Sequence, residues 1–482
     1  MIFKNAIKSG ALWIYFDYIT SFILQAIGLI ILSRIILPEF FGIFAIGLII
    51  TGFTENTFRA GFGQAIVQMK SDPKEYVNTL WVANLSLGVM STLIMYFLAP
   101  FILLYLFRSS NSEPYVLLML SVTLFHSLMN PTIALKVREF DQKTLFFINL
   151  FNPLVRYTST IIIALFYADP FSLACGYVLG ATASTAASFI FIKDRPSFDF
   201  DLNKFKELYS FSGWIQLNGI FRWASKNLDS IVVGNFVGKE GLGLYNRAIA
   251  ISSMPIQPFN ILLGRLLFPA LSRLNDRPTS QDTLLYHSFN FFIVFSFTIT
   301  LIFLFLGESI VWFLLGPNWS DLNSFLFILA TAYLIKLLLT LSCSFFRAIG
   351  HTKIEFNLNL IQIGISTLLL PLCVSKFALE GAAIAILISS LITLLPLTYW
   401  LVKFSNLNLF KYCRNLFLAL VSLLISILVI QVSDTYLSYF NSSFIKTTIS
   451  LLIFYFFLYL LNLGRNDGPI SSIHTIYKNL TH

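Results

Sequence analysis

A chain of 482 residues that is 57% hydrophobic and only 11% charged, with a mean hydropathy of +0.78, is too apolar for a soluble fold. Its net charge of +9 would suit nucleic acid if the basic residues were clustered, but they lie in short connections between apolar blocks, so no nucleic-acid partner is expected and they orient a membrane protein instead. The cysteines are single and the histidines scattered, which leaves neither a disulfide frame nor a metal site.

Only helices or closed barrels cross a bilayer, and apolar blocks of about 20 residues without strand-like alternation predict helices. They fall near 11–32, 41–67, 79–100, 115–135, 145–167, 171–192, 210–236, 243–268, 284–306, 324–346, 354–375, 380–401, 413–432 and 444–463. The expected fold is therefore an all-α polytopic membrane protein of about 14 transmembrane helices.

The first block follows Lys4 and Lys8 like a signal peptide, yet it is too long and lacks a small-residue cleavage site, so it is read as an uncleaved helix. It carries Asp17 on one face with Ser21, Gln25 and Gly28, donors and acceptors suited to sugar hydroxyls. The second block holds Glu55 and Arg59, spaced for an intrahelical pair. His126, in the fourth, reads as a packed core histidine. Arg156, in the fifth, has no local partner in the sequence. Asn130-Pro131, Asn152-Pro153, Pro255, Pro258, Pro371 and Pro396 are expected to interrupt or kink their helices.

The longest inner connection, 193–209, reads as a linker with a short interfacial helix from Leu202, and as a hinge between two bundles. The seventh block after it is the most unusual stretch. Asn218, Arg222, Ser225, Lys226 and Asp229 fall within a sector of about 100°, giving an apolar helix one polar wall. Ionisable groups in hydrocarbon must face protein, a partner or water, so this wall is expected to line an aqueous path; interhelical locking is the plainer alternative. Arg247 lies near the outer end of the eighth helix and Lys336 deep in the tenth. With Asp17, Glu55 and Asp229 as the only deep acids, the interior is net basic and suits an anion, phosphate above all.

With the N-terminus inside, the inner connections collect most Lys and Arg, including Lys136, Arg138, Lys143, Arg347, Lys353, Arg465 and Lys478. The outer ones hold Arg34, Arg108, Lys239, Lys376 and Lys446, which predicts both termini in the cytoplasm. An internal repeat divides the chain. Arg34-Ile-Ile-Leu-Pro38-Glu39-Phe-Phe-Gly42-Ile-Phe44 recurs as Asn235-Phe-Val-Gly-Lys239-Glu240-Gly-Leu-Gly243-Leu-Tyr245, and the connections beginning at Arg138 and Arg347 also match. Each half holds an even number of helices, so the repeats run parallel: an N-terminal six-helix bundle at 1–192, a cytoplasmic linker at 193–209, a C-terminal six-helix bundle at 210–401, and two peripheral helices with a cytoplasmic tail at 402–482. No phosphate-binding G-x-x-x-x-G-K-[ST] loop is present, so ATP hydrolysis is not expected.

The stretch Asn227-Leu-Asp229-Ser-Ile-Val-Val-Gly234 through Arg247-Ala, with Leu266-Leu-Phe-Pro269-Ala-Leu-Ser-Arg273 and Ser33-Arg34-Ile-Ile-Leu-Pro38-Glu39, resembles the polysaccharide flippases. These are the Wzx-like branch of the multidrug/oligosaccharidyl-lipid/polysaccharide exporter superfamily, here nearest the colanic-acid and teichuronic-acid exporters. The resemblance implies a MATE-like, V-shaped two-bundle transporter in the bacterial inner membrane, not an enzyme. It would move undecaprenyl-pyrophosphate-linked oligosaccharide units to the outer leaflet by alternating access, beside membrane lipid and with polysaccharide polymerase and chain-length machinery as partners. No cofactor is implied beyond coupling to H+ or Na+. By that resemblance Arg222, Lys226 and Arg247, with Arg156, Lys336, Asn218 and Gln25, would meet the pyrophosphate or sugars, and Asp17, Asp229 and Glu55 the hydroxyls or a coupling ion. A multidrug or small-solute exporter of the same superfamily would favour an acidic interior. A membrane-embedded glycan polymerase or ligase would carry a large outer loop, which this chain lacks.

Overall fold

The computed structural model describes residues 2–58, 62–68, 72–405, 409–436 and 443–461, which are overwhelmingly α-helical with no strand among them. The first part of the chain builds α1 (Ile2–Ile35), α2 (Pro38–Phe58), α3 (Phe62–Gln68), α4 (Val77–Tyr105), α5 (Glu113–Leu128), α6 (Ile133–Arg138), α7 (Gln142–Phe166) and α8 (Pro170–Phe191). Next come α9 (Leu202–Phe236), α10 (Gly238–Ser253), α11 (Gln257–Leu262) and α12 (Phe268–Arg273). They are followed by α13 (Pro278–Leu314), α14 (Asn323–Ala348), α15 (Thr352–Phe404), α16 (Leu409–Tyr436) and α17 (Ser443–Leu461).

Among the described residues, 10 helices are long and apolar enough to cross a membrane. One of them, α15, is two spans joined at Phe377 and Ala378, where Ala378 turns to φ 47. Two blocks expected as single helices are divided among the described residues. Asn130 and Pro131 separate α5 from α6: proline cannot extend the helical ladder, and Asn130 Oδ1 accepts from Thr132 N at 3.0 Å to start the next turn. Pro255 lies in the turn between α10 and α11, and a π-turn at Leu263–Leu267 divides α11 from α12. Pro153, Pro371 and Pro396, by contrast, sit inside continuous helices. α9, which carries Arg222, Lys226 and Asp229 among several neutral polar residues, is not among the 10.

Contacts divide the chain into two compact units, residues 1–246 with 314–319, and 247–313 with 320–482. In the first, α7 packs on α8 through small residues: a Cβ on Gly176 would meet Thr160 Oγ1, and one on Gly180 would meet Arg156 Cβ at 2.8 Å. Asp169 caps α8 through Ser172 N, and Asp201 caps α9 through Asn203 N and Lys204 N. No separate interfacial helix forms after Leu202; the helix runs unbroken to Phe236. The connection before it is fastened rather than free. Ser197 N donates to Asn78 Oδ1 at 3.0 Å, Asp201 N to Thr79 Oγ1 at 3.2 Å and Tyr76 OH to Glu207 at 2.7 Å, and Phe198 lies 4.7 Å from Trp81. α9 then packs on α2, α3 and α4, so the contact unit extends past the repeat boundary read from sequence.

The second unit has its own core, built on Phe289, Phe292, Leu341, Phe345 and Phe454. α16 is pinned to α13 by Asn415 Nδ2, which donates to Tyr286 OH at 2.7 Å and Asn290 Oδ1 at 3.1 Å; Thr298 and Tyr455 link α17 to α13 at 2.9 Å. The two connections that match in the repeat each turn on a left-handed residue, one position apart in their common register: Phe140 (φ 57) in one and Gly350 (φ 80) in the other.

Candidate functional site

α9 meets α2 along one seam. Gln216 donates to the carbonyl of Thr57, a Cβ on Gly219 would sit 3.5 Å from the carbonyl of Asn56, and Trp223 stands edge-on to Phe53 at 4.9 Å. These residues recur at helical spacing on one side of α9, and the wall from Arg222 to Asp229 is centred about 100° away, with Lys226 at its edge nearest the seam. Arg222, Ser225 and Lys226 are accordingly exposed. Asp229 is half-buried and engaged. Its Oδ2 accepts from Tyr245 OH at 3.0 Å, which ties α9 to the middle of α10, and its Oδ1 accepts from Ser230 N at 2.8 Å. The side chain of Asn218 and all of Arg59 lie outside the described residues, and with Arg59 the expected Glu55–Arg59 pair.

Glu55 meets His126 of α5, Oε1 to Nδ1 at 2.5 Å, so that histidine is a partner and not apolar filling. Arg156 of α7 sits among three rings, 5.4 Å from Phe44, 5.5 Å from Tyr157 and 4.9 Å from Tyr177. Its backbone is clamped by Gly176 and Gly180. Tyr177, the nearest of the three rings, also stands edge-on to Phe44 at 5.9 Å, so the rings on Arg156 form one cluster. Asp17 is separate, its Oδ2 accepting from Asn149 Nδ2 at 3.3 Å. The face it shares with Gly28 packs on α7, where a Cβ on Gly28 would strike Tyr157; Gln25, at the edge of that face, is exposed. Arg247 and Lys336 belong to the second unit. Arg247 is half-buried on α10, and Lys336 is exposed with Nζ 5.6 Å from the Tyr333 ring.

The charge pattern is lopsided. The three deep acids are held by Asn149, His126 and Tyr245, whereas Arg156, Arg222, Lys226 and Lys336 make no ion pair among the described residues. Such cations at low dielectric attract anions, and the guanidinium fork fits phosphate or carboxylate. Sequence reasoning missed the aromatic partners. Phe44 and Tyr245 occupy the same place in the repeated motif and each lies against a charged side chain, Arg156 or Asp229, so that shared aromatic was the available signal.

A family described as "Polysaccharide biosynthesis protein" matches residues 31–324. The lipopolysaccharide biosynthesis protein WzxC of Escherichia coli (strain K12) is 23% identical over 389 residues, 79% of this chain and 77% of that protein. Among solved structures, the lipid II flippase MurJ in an inward closed conformation is similar in fold, with a TM-score of 0.72, 16% identity and coverage of 94% of this chain and 99% of that one. An inward-facing multidrug resistance MATE family transporter of the MOP superfamily gives a TM-score of 0.60 at 14% identity over 79% of this chain and 93% of its own. What these two structures share with the chain is the fold: an all-α, multi-span membrane architecture.

Proposed function

The chain belongs to the polysaccharide biosynthesis protein family, and from that premise we propose that it translocates undecaprenyl-pyrophosphate-linked oligosaccharide units from the inner to the outer leaflet of the bacterial plasma membrane by alternating access. The observation that carries this is the set of cations that make no ion pair among the described residues, Arg222 and Lys226 on α9 and Arg156 on α7, beside acids already engaged by neutral partners or His126. A glycan cannot cross about 30 Å of hydrocarbon without a polar surface to replace water, and its pyrophosphate needs cations. The polyprenyl tail needs neither and stays in lipid.

Arg222 and Lys226 meet the pyrophosphate or acidic sugars, joined by Arg156, Arg247 and Lys336, while Gln25 and Asn218 serve the sugar. Asp17, Glu55 and Asp229 are the candidates for hydroxyl contacts or for coupling to H+ or Na+. The repeats 1–192 and 210–401 are the bodies that rock, both termini face the cytoplasm, and polymerase and chain-length proteins receive the product. A cation-rich wall argues against the multidrug reading, because cationic drugs would be repelled. The test is deletion followed by lipid analysis: lipid-linked units should accumulate on the inner leaflet, and their absence from the cell would place the chain upstream of transport. Arg222→Ala and Lys226→Ala should abolish surface polysaccharide with the protein still in the membrane, since neither exposed side chain supports packing. Wild-type polysaccharide in both variants would remove them from the site.

A further inference from the structure

The first unit carries a groove that none of the candidate transport residues lines. It has a volume of about 830 Å³ and follows one stripe of α5, with Glu113, Leu117 and Ser121 at successive turns and Leu118 beside them. Tyr96 of α4 forms its other wall, and Ser110 and Asn111, in the turn that leads into α5, form its rim. The distribution of Lys and Arg places that turn, next to Arg108, on the external side. Ser121 stands about 12 Å along α5 from Glu113, and Tyr96 about 13 Å back along α4 from its end at Tyr105. The groove therefore begins in the interfacial layer, about 5–7 Å deep on each side of a bilayer, and ends in hydrocarbon.

Its chemistry changes with depth. The rim offers a carboxylate, an amide and a hydroxyl, and below them lie Leu117, Leu118 and the Tyr96 ring. Glu113 is half-buried and makes no ion pair among the described residues. The dipole of α5 favours an acid in its first turn but does not account for an apolar groove beneath that acid. No Lys or Arg is among the described residues that line the groove. Basic pockets receive anionic headgroups, so an acid without a neighbouring cation selects a headgroup that brings a positive charge. A primary ammonium suits it best, because three N–H donors meet the carboxylate and the nearby amide and hydroxyl oxygens together, whereas a quaternary ammonium has no donor. The rim is also set in advance. Phe107 is buried and the Ser109 and Ser112 hydroxyls bond to each other at 2.6 Å, so little order has to be gained on binding.

We propose that this groove holds one phosphatidylethanolamine molecule of the outer leaflet, with its ammonium on Glu113, its phosphate beside Ser110 and Asn111, and the first part of an acyl chain between Tyr96 and Leu118. The inference goes beyond the flippase reading and stands or falls apart from it, since its readout is binding and not transport. The test places the full chain in phosphatidylcholine nanodiscs with a trace of phosphatidylethanolamine that carries a photoactivatable diazirine high on one acyl chain, and maps the labelled peptides. Label should concentrate on the peptides holding Tyr96 and residues 113–121, and unlabelled phosphatidylethanolamine should displace it at least fivefold better than phosphatidylglycerol does. Glu113→Gln should lower this labelling at least fivefold. Leu118→Trp, which keeps the carboxylate but fills the groove, should do the same. Undiminished labelling in Glu113→Gln, equal labelling by a phosphatidylcholine probe, or label spread evenly over the lipid-facing helices overturns the proposal. Displacement by soluble ethanolamine as effective as by the lipid also overturns it, because the apolar half of the groove would then contribute nothing. Thermal unfolding in detergent gives a second readout: added phosphatidylethanolamine should raise the midpoint of the unmodified protein by several degrees and leave that of Glu113→Gln in place. An equal rise in both would refute the site.

Discussion

The contact between Asp229 and Tyr245 decides whether the acid on the α9 wall is a structural tie or a free transport group. Tyr245 is 0% exposed, and its hydroxyl donates to Asp229 Oδ2 at 3.0 Å. A hydrogen bond to a charged group in water-soluble proteins nets about 1.5–3 kcal/mol. Measured pairs between membrane helices average about 0.6 and reach about 1.7 kcal/mol, because the unfolded chain in lipid finds other partners. The tyrosine hydroxyl here is sealed from water, so a coupling of about 1–1.5 kcal/mol, towards the upper end of the membrane range, is expected. Both residues make further interactions, so single substitutions mix several effects and only a double-mutant cycle isolates the pair. Unfolding of the purified full chain would be compared for Tyr245→Phe, Asp229→Ala, their combination and the unmodified protein. A coupling below about 0.3 kcal/mol refutes the tie, since independent sites add to within that margin. In that event, loss of transport in Asp229→Ala at unchanged stability would return Asp229 to the substrate path.

Gly180→Leu should destabilise the α7–α8 seam by about 1–3 kcal/mol, because even a Cβ would stand 2.8 Å from Arg156 Cβ and 2.9 Å from the carbonyl of Asn152. Thermal unfolding in detergent checks it, and an unchanged midpoint would show that the helices can slide apart at no cost. Trp223→Phe should leave stability unchanged to within about 0.5 kcal/mol or raise it. The indole Nε1 is buried without an acceptor among the described residues, and the phenyl ring keeps the edge-on contact with Phe53. A loss well above 1 kcal/mol in the same assay would mean that the N–H has a partner, such as bound water.

Much of the architecture was legible in the chain because hydrophobic length is a local property. A helix in lipid must satisfy its own backbone, so blocks such as 145–167 and 171–192 announced α7 and α8 to within a few residues. Where the reading slipped, the cause was local chemistry of another kind. Asn130-Pro131 divides a block that hydropathy joins, because capping and a missing N–H outweigh apolarity there. The 193–209 connection looked free in composition, yet hydrogen bonds to Asn78, Thr79 and Tyr76 fasten it to residues more than a hundred positions earlier.

The charged residues of the candidate site could be read one by one, since any Arg or Asp within an apolar run costs free energy and calls for a reason. What occupies them could not. That Glu55 meets His126, that three rings surround Arg156 and that Asp229 holds Tyr245 are facts of helix packing, set by which faces of α2, α5, α7, α8 and α10 come together. The repeat itself was likewise written in the sequence, whereas the contact between its copies was not. Periodicity along a chain fixes which residues share a face of one helix, but only the packed helices bring Gly42 against Lys239 and Gly243 against Pro38, where the absence of a side chain becomes a point of closest approach.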